Sequence, residues 1–182
     1  KDQLTIVHNV FLTIWLTHYI HRTFIYPFSI GMTHPKMPLI IAIMAFIFNV
    51  TNVSIQAFGI FYFVQYPAEW MQSTPFLIGI FLFITGMFIN IKSDYSIAAL
   101  RKEKGPGYHI PSTFLHKYIA SPNYLGEIIE WTGWALLTWS ISGAVFLAWT
   151  IANLFPRAIA NADGIEKNLR TILKTGKHSF LG

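Results

Sequence analysis

SPNYLGEIIEWTGWALLTW, residues 121–139, decides the fold, because it is composed for a lipid bilayer yet keeps two glutamates, Glu127 and Glu130. A carboxylate at membrane depth costs about 2.5–3.5 kcal/mol on insertion scales, so it persists only where it meets a partner, a cavity or a ligand. The two lie one helical turn apart, and a chain that keeps both is expected to use them.

The rest of the chain carries the same signature. Of its 182 residues 53% are hydrophobic, 16% aromatic and only 12% charged, against about 25% charged in a soluble domain. With no cysteine, disulfide frameworks and thiolate metal sites are excluded. Apolar runs near the 20 residues needed to span a bilayer cover 4–30, 38–64 and 74–100. The run 123–155 is too long for one span, and Ser140, Ser142 and Gly143 predict a break into helices near 123–139 and 142–155. The expectation is an all-α integral membrane protein with five transmembrane helices over 1–158, followed by a basic tail, 159–182. The first residue is Lys1, which we read as a start shortened relative to a whole protein.

Charge placement gives the orientation. Five spans place Lys36, Lys92, Arg101, Lys102, Lys104, Lys117, Arg157, Lys167, Arg170, Lys174 and Lys177 on one side, eleven of the thirteen Lys and Arg residues. By the positive-inside rule that side is cytoplasmic. Topology therefore accounts for the +5 net charge, and nucleic acid is not an expected partner.

At 100° per residue the intramembrane polar groups fall into stripes. On the first helix His8, Trp15, Tyr19, Arg22 and Tyr26 share a sector, and on the second Asn49, Asn52 and Gln56 do so. Asn90, Asp94 and Arg101 align on the third, and Asn123, Glu127, Glu130 and Trp134 on the fourth. Such stripes turn inward, since lipid cannot satisfy them. Each residue taken alone is equally well read as an interhelical hydrogen-bond partner, and Arg22 could pair with Glu130 or Asp94. As a set they predict a polar pocket opening on the cytoplasmic side. Beside it the loop RKEKGPGYHIP, 101–111, offers bases, a Gly-Pro-Gly turn and Tyr108, a platform for phosphate and a stacked base or simply a positive-inside connector.

Other chemistries find little support. His18 and His21 make a single HxxH, too few ligands for a metal centre. No Gly-rich nucleotide loop and no G-x-S-x-G elbow is present. The aromatic load and the acidic pair at one end fit a ligand pocket better than a pore.

HYIHRTFIYP (18–27), GMFINIKSDY (86–95), GYHIP (107–111), SPNYLGEIIEWTGWALLTWS (121–140) and LFPRA (154–158) together closely resemble the steroid 5α-reductases, the 3-oxo-5α-steroid 4-dehydrogenases, over about residues 15–158. The resemblance implies a seven-helix membrane enzyme, of which this chain would hold about five helices. It implies NADPH-dependent reduction of a Δ4-3-keto steroid, with hydride passing to C5 and a proton to C4. Tyr19 would be the catalytic residue, polarising the 3-keto oxygen, with an acidic partner on a preceding helix. Cofactor contacts would fall on Asn90, Asp94, Arg101, Tyr108, His109, Asn123 and Glu127. Arg22, Tyr26, Asn52, Gln56 and Glu130 would line the substrate pocket or support it. No metal is implied. The setting would be the endoplasmic reticulum in a eukaryote or the inner membrane in a bacterium, with the cofactor side cytoplasmic. Two departures from the resemblance stand out: the first two helices of the family fold are expected to lie outside this sequence, and the tail IANADGIEKNLRTILKTGKHSFLG (159–182) stands where the family's HKWY-like segment is expected. That tail is expected to lie as an amphipathic helix on the membrane surface. The alternatives are a trans-2-enoyl-CoA or polyprenol reductase of the same superfamily, or a non-catalytic membrane protein that binds sterol or nucleotide.

Overall fold

The computed structural model describes residues 4–29, 38–105 and 111–175, and these are helical without strands. Five long helices form. Helix α1 runs Ile6–Ile20, widens into a π-helical turn at His21–Ile25 and resumes as Tyr26–Ser29. Its buried residues Val7, His8, Phe11, Trp15 and His18 recur at the three- and four-residue spacing of one helical face. Helix α2 is Leu39–Ala57, continued by a second π-helical turn at Phe58–Tyr62. It starts directly after Pro38 and exposes Leu39, Ile40, Met44, Phe46, Ile47 and Val50, the surface that lipid would cover.

Helix α3, Thr74–Lys104, begins at Ser73, whose hydroxyl accepts the Phe76 N–H, and has Pro75 in its first turn, where a missing N–H is harmless. It ends at Gly105, whose φ of 78° lies in the region glycine tolerates. Arg101, Lys102 and Lys104 occupy its last turn, where cations offset the helix dipole. Helix α4, Pro122–Thr138, stops at Trp139 in a left-handed conformation. Helix α5 is Ile141–Thr175, and Ser140 caps it by accepting the Gly143 N–H at 3.0 Å.

Helices α3 and α4 pack closest, and glycine explains why. Gly79 and Gly86 on one, Gly126 and Gly133 on the other, are each seven residues apart and face one another. A Cβ added to Gly126 would stand 2.5 Å from the Asn90 nitrogen and 2.8 Å from the Gly86 oxygen; one on Gly79 would stand 2.5 Å from the Leu137 nitrogen. Side chains are thus excluded from this seam, as in small-residue interfaces between membrane helices. Against α4 lies an aromatic core: Trp15 meets Trp131 at 5.2 Å and Trp134 at 4.9 Å between ring centroids, and Phe146 meets Trp131 at 4.5 Å. Trp131, Trp134, Phe11 and Leu137 are almost wholly inaccessible.

Three helices, Leu39–Tyr62, Thr74–Lys104 and Ile141–Thr171, are long and apolar enough to cross a membrane. Helices α1 and α4 take the remaining positions of the expected five; α4 has 17 residues and is enclosed by its neighbours. The predicted break falls at Trp139-Ser140, as expected. The predicted end at residue 155 does not occur. Helix α5 passes through Pro156 to Thr175, so 159–175 prolongs a spanning helix instead of forming a separate one on the membrane surface. A proline costs an interior helix one hydrogen bond, and here the helix on either side continues. Asn161 helps to hold the extension, its Nδ2 donating to Ser121 Oγ at 2.8 Å.

Candidate functional site

The polar stripes meet at the basic end of the bundle. From α3, Asp94 is buried to 5% exposure and accepts two hydrogen bonds, from Arg22 Nη1 of α1 at 2.9 Å and from Asn123 Nδ2 of α4 at 3.0 Å. Asn90, one turn earlier on α3, donates to the Asn123 carbonyl at 3.0 Å. One carboxylate and two amides thereby tie α1, α3 and α4 together. The Arg22 side chain remains 43% exposed, so its charge still faces the opening, and it stacks on Tyr26 with 5.0 Å between the guanidinium carbon and the ring centroid. The π-helical turn that begins at His21 carries Arg22, an irregularity frequent at functional positions.

Glu127 is half-buried one turn after Asn123, and no hydrogen bond reaches its carboxylate from the described residues. Arg101 is exposed two turns beyond Asp94, about 16 Å along α3 from Asn90 at 1.5 Å per residue. This row of amides, carboxylates and a terminal arginine has the donor set for the amide, ribose hydroxyls and phosphates of an extended nucleotide cofactor. Glu127, whose charge acts on Arg22, keeps oxygens able to accept a hydrogen bond from such a group. Tyr108 and His109 lie outside the described residues.

Tyr19 sits deeper. Its phenol oxygen is 3.4 Å from Asn52 Nδ2 of α2, and its ring leans on Trp15 at 5.0 Å. Gln56, on the same face of α2 as Asn52, is consumed by structure: its Nε2 donates to the Ser142 carbonyl at 2.8 Å, and its Oε1 accepts from Trp134 Nε1 at 3.0 Å. Asn49 departs from the expected stripe. It is exposed and donates back to Ala45 O at 2.8 Å, because three residues before Asn52 the helix has already turned its side chain outward.

Arg22 therefore pairs with Asp94, and Glu130 takes a partner that sequence reasoning missed. His18 Nδ1 and Glu130 Oε1 are 2.7 Å apart, joining residues 112 positions apart. His18 belongs to the HxxH considered only for metal, and nothing in its spacing points to α4. Also missed is a clamp at the opposite end. Tyr66 OH donates to the Thr138 carbonyl at 2.5 Å and Trp70 Nε1 to the Leu137 carbonyl at 2.9 Å, satisfying orphan acceptors at the end of α4. Burial pushes the Tyr66 phenol well above its ordinary pKa, so it stays a donor. At the basic end burial lowers the His116 pKa; its Nε2 lies 3.3 Å from the Ser93 carbonyl. No group of three or more His, Asp or Glu residues converges for a metal among the described residues.

A bundle of helices, three of them long and apolar enough to cross a membrane, with a polar, half-open cluster at its basic end and a phenol beneath it, defines an all-α membrane protein. The chain belongs to the 3-oxo-5-alpha-steroid 4-dehydrogenase family, whose family model matches residues 35–171. It is 45% identical over 149 residues to the steroid 5-alpha-reductase DET2 of Solanum lycopersicum, covering 81% of this chain and 58% of that protein. It is 42% identical over 146 residues to 3-oxo-5-alpha-steroid 4-dehydrogenase 2 of Rattus norvegicus, covering 80% and 57%. With 3-oxo-5-alpha-steroid 4-dehydrogenase 1 of Homo sapiens it shares 42% over 149 residues, covering 82% and 57%. The chain thus spans a little under three fifths of the length of these curated relatives.

Proposed function

We propose that this chain forms most of the catalytic bundle of an NADPH-dependent steroid 5α-reductase in an internal membrane, reducing the Δ4 bond of a 3-oxo-steroid, with the cofactor entering from the cytoplasm. The observation that carries the proposal is the position of Tyr19, a half-buried phenol leaning on Trp15, in contact with Asn52 and one helical turn before Arg22 of the Asp94–Asn123–Arg22 cluster. When bound, the reduced nicotinamide supplies a hydride, which the Δ4-3-keto steroid accepts at C5. Addition there moves the π electrons toward the 3-oxygen, and that charge needs a donor aimed at it. Tyr19 supplies the phenolic O–H. Its Asn52 contact holds the ring, and Trp15 keeps water from one face.

Asn90, Asn123 and Asp94 form a rigid wall that would orient the cofactor without joining the chemistry, while Glu127 accepts from its free N–H or O–H groups. Arg101 stands at the basic rim for its phosphates, and Tyr108 and His109 are assigned as further contacts. Membrane lipid covers the outer faces of α2 and α5.

The test is direct. Membranes holding the full-length protein, given NADPH and a Δ4-3-keto steroid, should yield the 5α-dihydro product by mass spectrometry. Saturation of an enoyl-CoA or a polyprenol in place of the steroid would move the assignment to another branch of the superfamily. NADPH and sterol binding without turnover would make it a binding protein.

A further inference from the structure

The role proposed for Tyr19 leaves the Glu130–His18 pair unused, and its surroundings are unusual. Glu130 is 0% exposed and His18 7%. One Glu130 oxygen, Oε1, lies 2.7 Å from His18 Nδ1; the other, Oε2, is sealed and has no hydrogen-bond partner. An ionised carboxylate would leave bare charge on that oxygen inside a membrane protein, where nothing repays its desolvation. A neutral carboxyl donating Oε1–H to Nδ1 leaves only a carbonyl-type oxygen unsatisfied, and it places the imidazole proton on Nε2. The seal also excludes a ligand as the missing partner.

From this geometry we infer that Glu130, His18 and His21 form a proton line between the cytoplasmic end of the bundle and Tyr19. The His18 ring stands edge-on to Tyr19 at 5.2 Å between centroids. His21 follows one turn later on the same helix, its N–H bonded to the His18 and Thr17 carbonyls, where Cβ atoms three residues apart are about 5–6 Å from each other. It is half-exposed and edge-on to Tyr95 at 6.3 Å, so it can exchange a proton with water. Besides His18, the charged groups that act on Glu130 are Glu127 on α4 and Arg22 on α1; His18, Arg22 and Asp94 act on His21.

This inference rests on the proposed reduction, which consumes one hydride at C5 and one proton at C4. Tyr19 releases its phenolic proton to the enolate formed by hydride addition. The phenolate takes the His18 Nε2 proton as His18 Nδ1 takes the Glu130 proton. One proton entering from water by way of His21 restores the pair. Charge and atoms balance, and the only reductant is the nicotinamide.

Infrared spectroscopy of the full-length protein in membranes tests the line without requiring turnover. A carboxylic-acid C=O band that vanishes in Glu130→Gln should shift in D2O, and the shift should slow at least about tenfold in His21→Gln and recover with added imidazole. Absence of that band, or an unchanged exchange rate in His21→Gln, overturns the inference. In turnover, His21→Gln should lower kcat with KM and NADPH affinity unchanged, again rescued by imidazole. A loss that imidazole does not rescue would assign His21 a structural role. An inactive parent protein would sink the proposed reduction and not the exchange result, so the two failures are distinguishable.

Discussion

At the scale of single residues, Tyr19 and Glu127 make opposite predictions. Among the described residues the Tyr19 hydroxyl makes one hydrogen bond, accepting from Asn52 at 3.4 Å, so its own O–H is available to a ligand. Removing a donor used only in the transition state typically costs about 10²–10³ in kcat. Tyr19→Phe should therefore lower kcat by about that factor with NADPH affinity nearly constant, measured by steady-state kinetics and cofactor titration. Equal losses in both would show that the phenol is structural. Glu127 makes no hydrogen bond among the described residues, its charge acting on Arg22 across a gap, and Glu127→Gln should weaken NADPH binding about tenfold or more while leaving the folded state intact. Unchanged binding would show that the carboxylate points away from the cofactor. The two glutamates of the opening stretch thus differ by environment: Glu127 is half-open and free of hydrogen bonds among the described residues, Glu130 sealed against His18.

At the scale of elements, the α3–α4 seam and the segment after α3 are the sensitive parts. A leucine at Gly126 would bring side-chain atoms onto the Asn90 backbone, whose nitrogen already lies 2.5 Å from where a Cβ would stand. Overpacking of this kind costs about 1–3 kcal/mol, and displacement of Asn90 should lower NADPH affinity as well as thermal stability in detergent. Tyr66→Phe removes a buried hydrogen bond to the end of α4 and should cost about 0.5–1.5 kcal/mol with little effect on cofactor binding. His116 gives a pH signature. Its pKa is lowered by burial, so the unfolded chain binds a proton more readily. Stability should fall as pH drops through the ordinary histidine range near 6.5, and His116→Gln should flatten that limb of the melting-temperature profile.

Much of this was legible in the chain. Long apolar runs bounded by proline or glycine located the five helices, and helical spacing put Asn90 and Asp94 on one inward stripe and Asn123 on another, which the structure joins. Besides the Tyr66 and Trp70 clamp, three things were not legible. Asn49 shares the nominal face of Asn52, but a 60° rotation from it is enough to cross the rim of a shallow contact. Pro156 suggested a helix end, yet the fixed φ of proline is compatible with helix, and α5 tolerates the missing hydrogen bond. The His18–Glu130 pair depends on α1 packing over α4, a relation between distant segments that no local period encodes.

For the whole molecule, orientation and activity are linked. Basic residues crowd the end where α1, α3 and α4 share Asp94, so under the positive-inside rule the proposed cofactor cluster would face the cytoplasm. The chain has no cysteine, and single replacements can report orientation. Lys102→Cys should react with an impermeant thiol reagent from the cytoplasmic face, and Glu69→Cys, next to the clamp of Tyr66 and Trp70, only from the opposite face. The reverse pattern would put the cluster out of reach of cytoplasmic NADPH. The most direct measurement follows one atom: NADPH deuterated at the transferable position, incubated with the full-length protein in membranes and a Δ4-3-keto steroid. The account predicts a 5α-dihydro product carrying the deuterium at C5 and a solvent-derived hydrogen at C4. A product without deuterium at C5, or no reduced steroid while NADPH remains bound, would contradict it.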